Sequence, residues 1–167
     1  MLTGENRNGG VEFSVKEPEM SDFEWQPEIA KAVAEKSDEF RYRAVTCGVE
    51  VSVNPCPFPR EGSVATHQFP FLYTVQIVNQ RDDIIQLMSR RWMIYSAGEL
   101  IDEVTGLGVV GEQPVLHPGE RFRYTSSAVI NDPIGAMVGN YVFVIPSGDP
   151  FSVAIPAFTL CVDEELH

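Results

Sequence analysis

The sequence is poor in cysteine and histidine, and the few that it has are widely spaced. Its three cysteines are Cys47, Cys56 and Cys161, and no two of them form a Cys-x-x-Cys pair. The three histidines are equally scattered, and none belongs to a His-Glu-x-x-His motif. Structural zinc sites and disulfide frameworks need regular spacings of these residues. We therefore expect no metal site, no cofactor and no disulfide framework.

The common signatures of hydrolytic enzymes are also missing. There is no Gly-x-Ser-x-Gly elbow, and Ser126 has no histidine and aspartate partners close to it in the sequence. The acidic pairs Asp82-Asp83 and Asp102-Glu103 are interpreted as solvated charges in turns, with hard-cation binding as a lesser alternative. No residue is assigned a catalytic role, and the chain is predicted not to be an enzyme.

Long apolar runs are absent as well. No stretch approaches the roughly 20 apolar residues that a membrane-spanning helix requires. The first twenty residues, MLTGENRNGGVEFSVKEPEM, lack the apolar core of a secretory signal and the arginine-rich face of a transit peptide. We therefore expect no membrane association and a cytoplasmic location, unless a presequence has been removed.

Basic residues are scarce, and lysine disappears from most of the chain. There are 12 basic and 24 acidic residues, which gives a net charge of −12. Every basic residue after Lys36 is an arginine. An acidic chain is repelled by a phosphate backbone, so a nucleic-acid partner is not expected. The arginines suit planar pairing with carboxylates, phosphates or aromatic faces at an interface.

The first forty residues differ in composition from the rest. They contain four basic and ten acidic residues, together with the flexible stretch GENRNGG. Residues 27–37 are predicted to form a short helix that begins at Pro27. We interpret residues 1–40 as an acidic arm, which either docks a partner or is a linker partly packed on the domain. Trp25, an aromatic residue in this arm, is the candidate partner contact.

From residue 41 the apolar residues alternate with polar ones, as they do in half-buried strands. The alternation is clear in AVTCGVEVSV, FPFLYTVQIVN, IQLMSRRWMIYSA and NYVFVI. Six or seven such strands predict an antiparallel β-sandwich over residues 41–162, followed by an acidic tail at 163–167. The alternation changes phase at Pro156, which predicts a bulge or an edge position there.

The large aromatic residues of the strands lie at positions of this alternation. For that reason they are predicted to form the core rather than an aromatic binding surface. The residues concerned are Trp92, Phe122, Tyr124, Tyr141 and Phe143.

The stretch GLGVVGEQP contains the spacing Gly-x-Gly-x-x-Gly at Gly106, Gly108 and Gly111. In a dinucleotide-binding motif a helix opens at the last glycine, and its N-terminus holds the pyrophosphate. Pro114 and Pro118 follow closely and make a helix there untenable. The favoured interpretation is therefore a glycine-rich bend between strands.

An alternative is that the amides of these three glycines bind an anion without a helix. Arg90 or Arg91 could then add a bidentate contact. Arg90 has the same parity as Trp92 and should face inward, unless a bulge intervenes.

Four motifs, in this order, carry a family resemblance: LMSRRWMI, GLGVVGEQPVLHPGERFRYTS, PIGAMVGNYVF and FSVAIPAFTL. They closely resemble the ApaG domain, and the likeness covers residues 41–162. It implies a fibronectin type III-like, immunoglobulin-like sandwich. Some members are small bacterial proteins whose name is linked with cobalt and magnesium efflux, and others are C-terminal modules of eukaryotic F-box and polymerase-interacting proteins.

The resemblance implies a binding module more than an enzyme. We predict a non-catalytic protein-interaction module, either an adaptor or a subunit of a larger assembly. The alternative is a protein that binds a small anion, such as pyrophosphate or a nucleotide, or a divalent cation, cobalt or magnesium. A pyrophosphate-using enzyme is a weaker third reading. We expect the arm and the proline-rich residues 54–68 to lie outside the family match, so the partner and the oligomeric state stay open.

Overall fold

The computed structural model describes residues 2–6, 11–15, 39–58 and 63–162, which form two facing β-sheets. In order, the strands are β1 Leu2–Asn6, β2 Val11–Val15, β3 Tyr42–Thr46, β4 Val49–Pro57, β5 Phe69–Asn79, β6 Ile85–Ser96, β7 Glu99–Leu107, β8 Val115–Leu116, β9 Arg121–Ile130, β10 Ile134–Val144 and β11 Pro150–Cys161. One short helix, α1 Ser63–Thr66, precedes β5. The predicted all-β sandwich is confirmed. Within the described ranges no helix is long and apolar enough to span a membrane.

The first sheet has the order β1-β2-β9-β5-β4-β3 and the second the order β11-β10-β6-β7. The short strand β8 pairs with the beginning of β6. Neighbouring strands are antiparallel except β2, which runs parallel to β9. Strands β1 and β2 were not anticipated, because the sequence analysis assigned residues 1–40 to an irregular or helical arm. The predicted helix at 27–37, Trp25 and the tail at 163–167 lie outside the described residues.

The core lies between the two sheets and contains the aromatic residues expected there. Trp92 is only 3% exposed, and its ring meets those of Tyr73 and Phe158 edge-on at centroid distances of 5.4 and 5.9 Å. The other four predicted core aromatics are also buried: Phe122, Tyr124, Tyr141 and Phe143. Aromatic pairs in this geometry add to the free energy gained by burying their apolar area.

A bulge in β6 shifts the alternation at Met88, just before Arg90. Ser89 pairs with Val142 and Leu87 pairs with Phe143, so Met88 is an extra residue in its strand. Leu87 has an odd residue number and Trp92 an even one, yet both side chains point inward, because the bulge shifts the alternation between them. Arg90, on the Trp92 side of the bulge, therefore faces inward as its parity predicted.

The predicted irregularity at Pro156 is confirmed. Met137 pairs with Phe158 and Gly139 pairs with Ile155, so Pro156 and Ala157 together oppose one residue of β10. This bulge lies on β11, the edge strand of the second sheet. Proline lacks an N–H group and is tolerated at such a position.

The placement of Asp102 and Glu103 in a turn was wrong. Both lie within β7, at the other edge of the second sheet. Seven of its nine residues are exposed, so the strand has no buried row of apolar side chains that would reveal it in the sequence.

Candidate functional site

The glycine-rich stretch forms a closed bend after β7. The N–H of Gly108 donates to the carbonyl of Met88 at 2.8 Å, and Val109 and Glu112 exchange two backbone hydrogen bonds of 2.8 Å. Gly108 and Gly111 have φ values of +64° and +81°, which side-chain-bearing residues rarely adopt. No helix follows in the described part of the chain, in agreement with the expected bend.

Close packing requires glycine at position 108. A Cβ atom there would lie 2.2 Å from the carbonyl oxygen of Glu112, a backbone atom. A Cβ atom on Gly106 would lie 2.9 Å from Nη1 of Arg90, which pairs with Gly106 across β6 and β7, but that flexible side chain can move aside. Packing thus accounts for glycine at position 108 without a ligand.

The two candidate arginines lie on opposite faces of the second sheet. Nη1 of Arg90 donates to the carbonyls of Leu107 and Gly108 at 3.2 and 2.9 Å, so Arg90 holds the bend. Arg91 forms an ion pair with Glu103, in which Nη2 and Oε1 are 2.6 Å apart. Both of these side chains are about half exposed, and such a pair contributes about 0–1 kcal/mol. The two guanidinium groups therefore do not meet, although both residues, with Gly106, contribute to the lining of one groove described below.

Inside the sandwich, beside Arg90, is a cavity of about 30 Å³. We call it the tyrosine cavity; besides Arg90, it is lined by Tyr73, Trp92, Val109, Val110, Tyr124 and Ser126. The alternation of apolar residues did not indicate this cavity, because it marks the tyrosines only as apolar core residues. The hydroxyl groups of the tyrosines could have indicated a polar site, because a buried tyrosine hydroxyl needs a hydrogen-bond partner.

The tyrosine hydroxyls are paired with other hydroxyls. Tyr124 on β9 forms a hydrogen bond with Tyr141 on β10, which joins the two sheets. Tyr73 lies directly opposite Ser126 across β5 and β9, close enough for the two hydroxyls to interact. Each pair uses one hydroxyl hydrogen and leaves a second one available.

Burial raises the pKa of Tyr73, Tyr124 and Tyr141, because the charged phenolate is poorly solvated inside the protein. The positive charge of Arg90 acts on all three pKa values in the opposite direction, with a smaller effect. The three hydroxyls are therefore neutral hydrogen-bond donors at neutral pH.

These raised pKa values predict steep unfolding in alkali. In the unfolded chain each tyrosine ionises near its ordinary pKa of 10.0, whereas in the folded chain it ionises only at higher pH. The stabilisation is therefore complete below about pH 10 and is lost as the pH rises through the folded pKa values. Three such protons correspond to a fall of up to about 4 kcal/mol per pH unit.

Urea unfolding at a series of alkaline pH values measures this slope. Tyr141→Phe removes one of the three ionising groups and should make the slope shallower by about 1.4 kcal/mol per pH unit. Equal slopes for the two proteins would show that Tyr141 does not take part.

A shallow groove lies on the outer face of the second sheet, next to the edge strand β7. We call it the outer groove; its volume is about 390 Å³, and it is lined by Ser89, Arg91, Thr105, Leu107, Asn140 and Val142 together with Arg90 and Gly106. Leu107 is 77% exposed at its rim. An exposed leucine beside a partly apolar groove is a feature of protein contact surfaces.

Comparison with models of known protein families shows which family the chain belongs to. The model of the ApaG domain matches residues 59–145, which is more than half of the chain. The chain belongs to the ApaG family. It is 47% identical over 119 residues to Protein ApaG of Bradyrhizobium sp. strain BTAi1, covering 71% of this chain and 91% of that protein. It is 41% identical over 119 residues to Protein ApaG of Thiobacillus denitrificans, covering 71% of this chain and 94% of that protein.

A solved ApaG-like structure has the same fold. The crystal structure of an ApaA protein from Bordetella pertussis superposes with a TM-score of 0.66 at 40% identity, covering 75% of this chain and 99% of that one. A second X-ray structure gives a TM-score of 0.67 at 34% identity, covering 74% of this chain and 94% of that one. The resemblance inferred from the four sequence motifs is thus confirmed, as is the sandwich. The expectation that residues 54–68 lie outside the family match was wrong from residue 59 onward, because the match begins there.

The described residues add neither a metal-binding group nor a residue of the acidic arm to the cavity or the groove. In the described ranges no three histidine, cysteine, aspartate or glutamate side chains are grouped to hold a metal ion. Trp25 lies outside the described residues and stays a predicted partner contact.

Anion binding by the glycine bend can be tested directly. Because the amide of Gly108 already donates to Met88, we expect millimolar ATP or pyrophosphate to leave the amide resonances of Gly106, Gly108 and Gly111 unchanged. Two-dimensional NMR of the labelled chain measures this. Saturable shifts of those amide resonances and of Arg90 or Arg91 would contradict the expectation. Weak, salt-sensitive shifts at all arginines would indicate only non-specific electrostatic attraction between the anion and the protein.

Proposed function

We propose that this ApaG-family chain is a non-catalytic protein-interaction module that binds an extended, basic segment of a partner protein along β7. The observation that carries the proposal is the position of β7 at the end of the second sheet. On its outer side the strand pairs with no other described strand. An edge of this kind offers a row of N–H and C=O groups to which a partner can add a strand.

The charge of β7 indicates the chemistry of the partner. The strand has the sequence ELIDEVTGL, with three acidic residues and no basic one. Pairing of two copies in full register would place Glu103 opposite Glu103, which disfavours self-association. A segment that carries lysine or arginine is attracted instead, and the net charge of −12 draws it from a distance.

Apolar contacts add to this attraction. Leu100 and Ile101 are 51% and 39% exposed on β7, and Leu107 stands at the end of the strand beside the outer groove. A strand added to β7 would point alternate side chains to the outer face of the sheet. Those side chains would lie next to the outer groove, where Leu107 and Val142 offer apolar surface.

A pair of synthetic peptides tests the proposal. A nine-residue peptide in which lysine alternates with valine and threonine should shift the amide resonances of β7 in NMR spectra. The same peptide with glutamate in place of lysine should bind much more weakly, because it repels the acidic strand. Equal effects of the two peptides, or shifts centred away from β7, would contradict the proposed surface.

A matched pair of variants locates the contact. Leu107→Lys should weaken the lysine peptide about tenfold, because it removes an apolar contact and adds a repelling charge. Val64→Lys, on α1, changes the net charge equally at a residue of nearly the same exposure, 78%, and should have little effect. Similar losses in both variants would show that only the net charge matters.

A further inference from the structure

Arg90 faces the inside of the sandwich without a carboxylate partner. None of the ion pairs found among the described residues includes it, and its hydrogen bonds go to the carbonyls of Leu107 and Gly108. Both of these bonds use Nη1. A guanidinium has five N–H donors, so the three on Nε and Nη2 are left over. A partly buried cation in this situation favours an anion beside it.

The hydroxyls around the tyrosine cavity can also donate to a guest. One hydrogen is left over in the pair of Tyr73 and Ser126, and one in the pair of Tyr124 and Tyr141. The described residues that line the cavity include no carboxylate. Among those described residues Arg90 is the one charged group at the cavity wall, and the neutral hydroxyls around it are able to donate.

The size of the cavity limits the guest. A volume of about 30 Å³ accommodates a single water molecule or a single ion of similar size. A phosphate group with its four oxygens does not fit, and a nucleotide fits still less. Trp92, Val109 and Val110 in the wall are buried, so the surroundings are less polar than bulk water, which strengthens the electrostatic interaction with Arg90.

We propose that the tyrosine cavity binds one monoatomic anion, chloride under ordinary conditions, through Arg90, one hydroxyl of the Tyr73 and Ser126 pair, and the hydroxyl of Tyr124, which in turn accepts from Tyr141. The anion accepts hydrogen bonds from both hydroxyl pairs and neutralises the guanidinium. Water is the competing guest, but it has no charge to offer Arg90. The site is separate from the amides of the glycine bend and from the peptide-binding edge proposed above.

The anion would also stabilise the end of β7. Arg90 joins the cavity to the bend, because it donates to the carbonyls of Leu107 and Gly108. An anion that fixes the guanidinium therefore also fixes those two carbonyls. Stability should depend on halide concentration as it does for any ligand that binds only the folded state.

Replacement of a large anion by chloride is the first test. Thermal unfolding is followed while sodium gluconate, whose anion is too large for the cavity, is exchanged for sodium chloride at constant ionic strength. The midpoint should rise and then saturate. A midpoint that stays constant, or that rises linearly without saturation, would overturn the proposal. Crystals grown in bromide should show an anomalous peak in the cavity, and a water molecule there instead would equally overturn it.

Two neighbouring arginines provide the matched variants. Arg90→Gln should weaken chloride binding about tenfold or more, the effect of losing a charged hydrogen-bond donor. Arg91→Gln changes the net charge equally, but Arg91 points away from the cavity and pairs with Glu103, so chloride binding should persist. If Arg90→Gln does not fold, Tyr124→Phe takes its place and should weaken chloride binding several-fold. Equal chloride dependence in wild type and in the cavity variant would refute the site.

Discussion

Trp92→Ala should lower the free energy of unfolding by about 3–5 kcal/mol, the usual cost of truncating a buried tryptophan. The side chain is 3% exposed and packs edge-on against Tyr73 and Phe158. It joins β6 of the second sheet to β5 of the first, so its loss opens a void between the sheets. Against a typical domain stability of about 5–15 kcal/mol, the variant should unfold at a much lower urea concentration or be insoluble.

Met93→Ala is the control in the same strand. Met93 follows Trp92, lies on the outer face and is only half-buried, so its truncation should cost about 1 kcal/mol or less. Urea unfolding followed by circular dichroism compares the two variants. If both lost the same stability, Trp92 would not be the main contact between the sheets.

Gly108→Ala should destabilise the protein by about 2–5 kcal/mol through two separate effects. The φ value of +64° costs a residue with a side chain about 1–2 kcal/mol. The added Cβ would also lie 2.2 Å from the carbonyl oxygen of Glu112, so the backbone of the bend must move. Such overpacking typically costs about 1–3 kcal/mol more.

Gly119→Ala separates these two effects. Gly119 has a similar φ of +83°, but a Cβ there would have no atom within 4 Å. It should therefore show only the conformational cost, about 1–2 kcal/mol. Equal stability losses at Gly108 and Gly119 would mean that the bend adjusts to the methyl group without cost. In that case glycine at position 108 would be explained by its φ value alone.

Local patterns in the sequence were sufficient for the strands and for much of the core. Alternation of apolar residues indicated β5, β6, β9, β10 and β11, because each of these strands buries a face between the sheets. It merged β3 and β4 into one run, although the chain turns at Cys47 and Gly48 between them. The same alternation placed Trp92 in the core, and its break at Pro156 located a bulge. Prolines after the glycine motif excluded a nucleotide-binding helix, since proline restricts the chain locally.

The edges of the sheets could not be anticipated in the same way. Strand β7 is mostly exposed and carries charges on both faces, so Asp102 and Glu103 were placed in a turn. Strands β1 and β2 follow an acidic, glycine-rich composition, and the parallel pairing of β2 joins it to a strand more than 100 residues later. A strand that buries little leaves only a weak pattern in its sequence.

The functional surfaces depend on residues that are distant in sequence. Arg90 meets Tyr73 and Tyr124 at one cavity because β6 lies in the sheet that faces β5 and β9. The hydrogen bond between Tyr124 and Tyr141 forms only when the two sheets face each other. The alternation of apolar residues and the effects of proline and glycine involve only a few neighbouring residues, so they can be predicted from the sequence. A cavity and a free strand edge arise from contacts between strands, so they exist only once the chain has folded.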